Sequence, residues 1–211
     1  MLRFVMAIKE HVDAAQKRGP DPQSRHDQIV HAANDYFSHF GYGKTTMNDL
    51  AKAIGFSKAY IYKFFDSKQS IGEAICTECL LKISISAEEA ANTSGSAMDK
   101  LRNYFRVLID KNVELFFVDR QLYEIATYST TERWESSLAH TSRVESFLRG
   151  IIDEGRAAGE FERKTPLDEV TRSIVLAMQS FLNPSMLQHN LDSVPDGSNE
   201  VIGLILRSLS P

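Results

Sequence analysis

The sequence predicts an all-α fold, and three observations carry that prediction. Apolar residues recur at three- and four-residue spacing through most of the chain after Ser24. No segment alternates apolar and polar residues as a half-buried strand does. Glycine and proline punctuate the chain at intervals that leave helical lengths between them, at Gly41, Gly55, Gly159, Pro166 and Pro184.

Taken in order, residues 1–23 read as a separate arm, because Gly19, Pro20 and Pro22 break a helix and mark a linker. From Ser24 onward, Ile29, Ala33, Tyr36, Phe37 and Phe40 form one apolar stripe that Gly41 is placed to stop. Thr45-Thr46 offers an N-cap for a second helix over 46–54, ended at Gly55. Ser57 caps a third over 57–65. Asp66-Ser67 opens a long helix reaching about Ala91, where NTSGSA at 92–97 interrupts it. Further helices are expected over 98–118, 120–128, 132–157, 167–183 and 199–209, with SVPDGS at 193–198 as a loop. The chain thus divides into an arm (1–23), a three-helix unit (24–70) and a larger helical unit (71–211).

At 211 residues, 43% hydrophobic and 25% charged, the chain has the composition of an ordinary globular protein with a sizeable core. No apolar run approaches the roughly 18 residues that span a bilayer, so no membrane partner is expected. The opening MLRFVMAIKE lacks the apolar stretch and small-residue cleavage site of a signal peptide. With two cysteines and no export signal, a cytoplasmic location is expected. The net charge of −4 is uneven: residues 1–70 carry +3 and the remainder −7. A basic N-terminal third on an acidic chain is suited to face a polyanion.

The stretch SKAYIYKFFDSKQSI, Ser57 to Ile71, interleaves four aromatic rings with three lysines. Neither a core helix nor a solvated one needs that mixture. Placed as two short helices joined at Gly55-Phe56, residues 46–54 and 57–65 can close Leu50 and Ile54 on Ile61 and Phe65, and both pairs on Phe37 and Phe40. This is a helix-turn-helix, whose second helix leaves Lys58, Ala59, Tyr60 and Tyr62 on or beside the outer face. A DNA major groove admits one helix between phosphate walls, with thymine methyls on its floor. Lysines and tyrosine hydroxyls suit the walls, and small or aromatic residues suit the floor.

GYGKTTMNDLAKAIGFSKAYIYKFFDSKQSI, within roughly residues 25–75, resembles the N-terminal signature of the tetracycline-repressor (TetR) family of bacterial transcription regulators. Several offsets match together: Phe-Gly-Tyr ending the first helix, Thr-Thr before the second, Leu-Ala three residues later, Ile-Gly at the turn, and Ser-Lys, Tyr-x-x-Phe and Ser-Lys around the third. The resemblance implies that Thr46 caps the second helix beside DNA and that Asn48 lies where some relatives contact it. It implies that Lys58, Ala59 and Tyr60 face bases, and that Tyr62 and Lys68 contact phosphates. Phe64 departs from the family, which commonly has Tyr or His there, and Tyr60 is bulkier than the usual residue. Lys17 and Arg18 of the arm are candidates for a minor groove.

For the C-terminal part the resemblance extends to length and helical character. It implies a homodimer on a double-stranded DNA operator, with a seam made by the last two helices, 167–183 and 199–209. It further implies a cavity for a small-molecule effector, with Phe105, Phe116, Phe117, Tyr123, Tyr128, Trp134, Met178 and Phe181 as candidate lining. Glu114, Asp119 and Glu124 are candidates to receive a cationic ligand, and His140 and Arg143 to enter the pocket. The function so implied is a repressor released from a palindromic operator by its effector.

Rival constellations lead elsewhere. Cys76-Thr-Glu-Cys79 is a C-x-x-C, but no second pair or suitably spaced histidines accompany it to complete a zinc site. A redox-responsive regulator using these thiols is one alternative. Asp27, His31, Asp35 and His39 recur every four residues opposite the apolar face, as a solvated helix surface also does. No HExxH, Gly-rich phosphate loop or nucleophile elbow is present, so neither catalytic residues, metal nor cofactor are expected. The remaining alternative is a helical ligand-binding dimer or enzyme whose helix-turn-helix no longer binds DNA.

Overall fold

The computed structural model describes residues 22–211, so Lys17, Arg18 and all but the last two residues of the expected arm lie outside the described residues. The first described helix, α1, spans Pro22–Phe40. Proline is tolerated in a first helical turn, where its missing N–H has no intrahelical role.

Every regular element among the described residues is helical. Helix α2 (Met47–Ala53) begins in a capping box, with Thr46 Oγ1 accepting from the Asp49 N–H and the Asp49 carboxylate accepting from the Thr46 N–H. Helix α3 (Lys58–Ile61) is capped by Ser57, whose Oγ accepts from the Tyr60 N–H at 3.1 Å. It is shorter than the predicted 57–65, because hydrogen bonds from Lys63 to Tyr60 and from Phe64 to Ile61 tighten the last turn. Phe40 is also corrected: it is 59% exposed, against Tyr36. Gly41, at φ +81°, turns the chain so that Tyr42 packs edge-on against Phe37 instead, 5.3 Å between centroids.

Helix α4 (Lys68–Asn92) ties the two halves of the protein together. Its Ile71, Ile75, Cys76 and Leu80 join Ile29, Phe37, Leu50, Ile61 and Phe65 in one hydrophobic cluster. Farther along, Ile83, Ala87 and Ala91 enter a second cluster with residues of α5 (Ala97–Val118), α7 (Glu135–Ala158) and later helices. Burying each such Ile or Phe contributes roughly 1.5–3 kcal/mol. Helix α6 (Arg120–Thr131) sends Ile125 and Ala126 to the first cluster, as does Trp134 in the turn before α7. The N-terminal unit, hereafter the head, is therefore seated on α6 and the start of α7.

The predicted helix 167–183 is broken at Met178 into α8 (Leu167–Ala177) and α9 (Gln179–Leu182), followed by α10 (Pro184–Leu187). The break redirects α9 across α5, where Met178 and Phe181 are buried. After a 3-10 turn at Leu191–Ser193, α11 (Asp196–Ser208) begins inside the predicted loop. The Pro195 carbonyl starts it by accepting from the Asn199 N–H and the Ser198 hydroxyl. The two helices expected to share a seam each pack mainly on another helix: α8 on α7, and α11 on α5 through Ile202, Ile205 and Leu206.

Candidate functional site

The head presents α3 outward because Ile61 at its end and Phe65 in the turn after it are buried against α1 and α2. That leaves Lys58, Ala59, Tyr62 and Lys63 exposed, with Thr46 and Asn48 exposed at the start of α2. Lys58 Nζ stands 5.7 Å over the Tyr62 ring, one helical turn away, so a cation and a phenol share one face. Tyr60 is half-buried, its ring 5.1 Å from Phe56 and 5.4 Å from Phe64. This aromatic ladder gives Phe64, where a polar residue is common in the resembling family, a packing role. Lys63, with its ammonium 5.8 Å from the Tyr60 ring, is an exposed cation beside these residues that sequence reasoning did not single out.

Lys68 is placed differently from the other candidates. Its Nζ donates to the carbonyls of Tyr42 and Thr45, 2.9 Å each, and sits 4.2 Å over the Tyr42 ring. Burial lowers its pKa, yet the two carbonyls and the ring face satisfy the ammonium. One of its three N–H donors is left over. Lys68→Met is therefore expected to lower head stability by about 1–3 kcal/mol, because two carbonyls lose a charged donor. Urea unfolding of the variant measures this.

In the larger unit, the helices leave a cavity of about 370 Å³ among α4, α5, α6, α7, α8, α9 and α10. Its wall is mixed. Leu80, Val144, Val175 and Leu182 supply apolar surface, while Asn112, Ser137, His140, Gln179 and Asn183 supply polar groups. His140 Nδ1 lies 3.0 Å from Ser84 Oγ. Burial, with Arg143 nearby, holds its pKa down at about 4, so the ring is neutral at pH 7. Arg143 points away and pairs with Glu88 through two contacts of 2.6 and 2.7 Å.

None of the eight expected aromatic and methionine residues lines this cavity. Phe105, Met178 and Phe181 are core residues. Tyr123 is buried and donates its hydroxyl to the Pro184 carbonyl at 2.6 Å. Phe116 lies under the Arg120 guanidinium, 3.9 Å away, and Phe117 is 71% exposed. Tyr128 and Trp134 lie against Tyr42 of the head, 5.4 and 5.5 Å between centroids. Phe105, Tyr123, Trp134 and Phe181 are buried in the core, and the space is left where Leu80, Val144 and Val175 meet Asn112, Ser137 and Gln179. Ser137, Thr141 and Val144, which line it, recur at helical spacing along α7.

Glu114 and Asp119 line a second, shallower cleft of about 280 Å³ between α1 and the larger unit. Both are engaged, Glu114 with Lys111 at 2.6 Å and Asp119 with the Leu122 N–H at 2.9 Å. Glu124 faces the α1–α2 turn instead. On α1, His39 Nδ1 lies 2.8 Å from the Asp35 carbonyl and Asp27 accepts from Gln23. Cys76 is buried and Cys79 half-buried, both as free thiols. Burial raises the Cys76 pKa and pushes that of Cys79 up to about 12, so neither is a thiolate at neutral pH. Iodoacetamide is expected to alkylate both at least about 100-fold more slowly in folded than in urea-unfolded protein, as followed by mass spectrometry.

No helix among the described residues is long and apolar enough to cross a membrane. Two matches with known families cover both units of the chain: residues 29–75 match "Bacterial regulatory proteins, tetR family", and residues 97–196 match "Tetracyclin repressor-like, C-terminal domain". The chain is 25% identical over 156 residues to the HTH-type transcriptional regulator YhgD of Bacillus subtilis, covering 71% of this chain and 78% of that one. It is 24% identical over 160 residues to the HTH-type transcriptional repressor KstR2 of Mycolicibacterium smegmatis, covering 72% and 75%. The fold is similar to the crystal structure of the regulator FadR from Bacillus subtilis in complex with stearoyl-CoA, with a TM-score of 0.64 at 21% identity over 86% of this chain and 98% of that one. An outward α3 on a capped helix pair, joined by one long helix to a hollow helical body, thus has its counterpart across both halves of known regulators, and the chain belongs to the tetracycline-repressor family of transcription regulators.

Proposed function

We propose that the protein is a cytoplasmic, homodimeric repressor that holds two α3 helices in successive major grooves of a palindromic operator and leaves it when a small molecule fills the 370 Å³ cavity. The exposed face of α3, with Lys58, Ala59 and Tyr62 together, carries this reading. Thr46, Asn48 and the edge of Tyr60 extend the same contact surface. Lys68 is positioned to direct its third N–H at a phosphate while bracing the α1–α2 turn. Repression is supported by relatives such as KstR2, and an effector cavity by the fold's likeness to a regulator holding stearoyl-CoA.

The dimer seam in this reading uses α7 and α8 in place of the predicted pair. Ser142, Ser146 and Gly150 are exposed at four-residue spacing on α7, so a partner helix can approach closely, and Leu176 of α8 is 64% exposed. The Arg149–Asp168 ion pair joins the two helices across this outward face. Half-sites about 34–36 Å apart would match the dimer to one turn of DNA. Ligand must bind the released state better than the DNA-bound one, since equal affinity would shift nothing.

Selection from randomised duplex DNA by the purified protein tests the proposal. Enrichment of a palindrome, with affinity falling steeply as salt rises, is the expected result. Folded dimer that enriches no sequence at low salt would refute it.

A further inference from the structure

We infer that the 370 Å³ cavity takes a carboxylate on a compact apolar body, held at its charged end by Arg133, and that Trp134 passes its arrival to the head. The inference rests on the reading of this cavity as the effector site and adds the ligand's chemical class and the route of the signal.

The charge of the lining is one-sided. Among the described residues around the cavity there is no Asp or Glu, and Arg133 stands with a neutral His140. A cation entering would lose its hydration without gaining a counter-charge, whereas an anion meets a guanidinium able to grip it with two N–H groups. Leu80, Val144, Val175 and Leu182 favour an apolar body behind that charge.

Arg133 also holds an uncommon backbone conformation. Its φ is +55°, in the left-handed region that costs a residue with a Cβ roughly 1–2 kcal/mol. The turn is held on both sides, by the Glu132 N–H on the Tyr128 carbonyl at 2.9 Å and the Trp134 N–H on the Ser129 carbonyl at 2.8 Å. Ser137, which lines the cavity, donates to the carbonyls of Ser129 and Trp134. Strain at a ligand-facing turn is a place where binding energy can act.

The next residue faces the other way. The Trp134 ring meets Tyr42 edge-on at 5.5 Å and lies so near Gly72 that a Cβ there would stand 3.1 Å from it. Tyr42 in turn gives its carbonyl to Lys68 and packs on Phe37 beneath α3. A pull on Arg133 therefore moves a ring wedged between α4 and the head.

Trp134 is the single tryptophan of the chain, so its emission reports this contact directly. Three probes of one shape separate the chemistries: cyclohexanecarboxylate, cyclohexanecarboxamide and cyclohexylmethylammonium. Calorimetric titration is expected to show the carboxylate binding at least about tenfold tighter than the other two, with a saturable change in Trp134 emission. Arg133→Asn, which tolerates the same backbone, should erase that preference. Equal or tighter binding of the ammonium, an unchanged preference in Arg133→Asn, or no carboxylate binding up to its solubility would overturn the ligand class. Binding without an emission change would overturn the Trp134 route. Thr141→Phe, at the exposed edge of the cavity, should block the carboxylate; if binding persists there, the site lies elsewhere and the effector-cavity reading falls whatever the charge preference.

Discussion

Lys58→Ala combined with Tyr62→Phe is expected to weaken operator binding about 100- to 1,000-fold while leaving the urea midpoint nearly unchanged. Lys58 is exposed on α3 and Tyr62 at its C-terminal cap, and neither side chain makes a hydrogen bond within the protein that the substitutions would remove. A phosphate contact from a lysine and one from a phenol hydroxyl contribute roughly 1 kcal/mol each, and a dimer loses both twice, about 4 kcal/mol in all. Fluorescence anisotropy at several salt concentrations makes the loss specific. The slope of log affinity against log salt should shrink in magnitude by about 2, one released counterion for each lost lysine. An unchanged affinity would show that α3 does not carry the DNA contact. The pair is preferable to one that includes Lys68, whose loss unsettles the α1–α2 turn as well as any phosphate contact.

Gly155→Ala is expected to be the more damaging change to stability, by about 2–4 kcal/mol. A Cβ at this position would stand 2.2 Å from Phe161 Cδ2 and 2.9 Å from Ala97 Cβ. Phe161 is buried at 2% exposure in the main hydrophobic cluster, so the ring cannot swing away without opening the core. Next to it, the Glu160 carboxylate accepts from the N–H groups of Ala97 and Met98, stabilising the N-terminus of α5, so displacement would also disturb that cap. The matched control is Gly203→Ala in α11. There a Cβ meets only the flexible end of Arg207, at 3.4 Å, and alanine should add up to about 1 kcal/mol. Opposite signs for two identical substitutions in urea unfolding would confirm that contact, not helix propensity, decides Gly155.

Those two predictions lie at different distances from the sequence. The exposed face of the helix-turn-helix was legible because that motif uses local spacing: caps at Thr46 and Ser57, a turn at Gly55, and Ile61 and Phe65 one turn apart force Lys58, Ala59 and Tyr62 outward. All-α character was legible for the same reason, since helical hydrogen bonds and periodicity are local. The larger unit depended on packing between residues far apart in the chain. Nothing local distinguishes a phenylalanine that fills a core from one that lines a cavity, so Phe105 and Phe181 went to the core while Asn112, His140 and Gln179 bound the space. Lys68 was read as a phosphate contact, but only the fold brings its ammonium to the carbonyls of Tyr42 and Thr45. The choice of α7 as the neighbour of α8, and the wedge of Trp134 against Gly72, were likewise decided by tertiary structure, because volume and close approach are properties of several elements meeting at once.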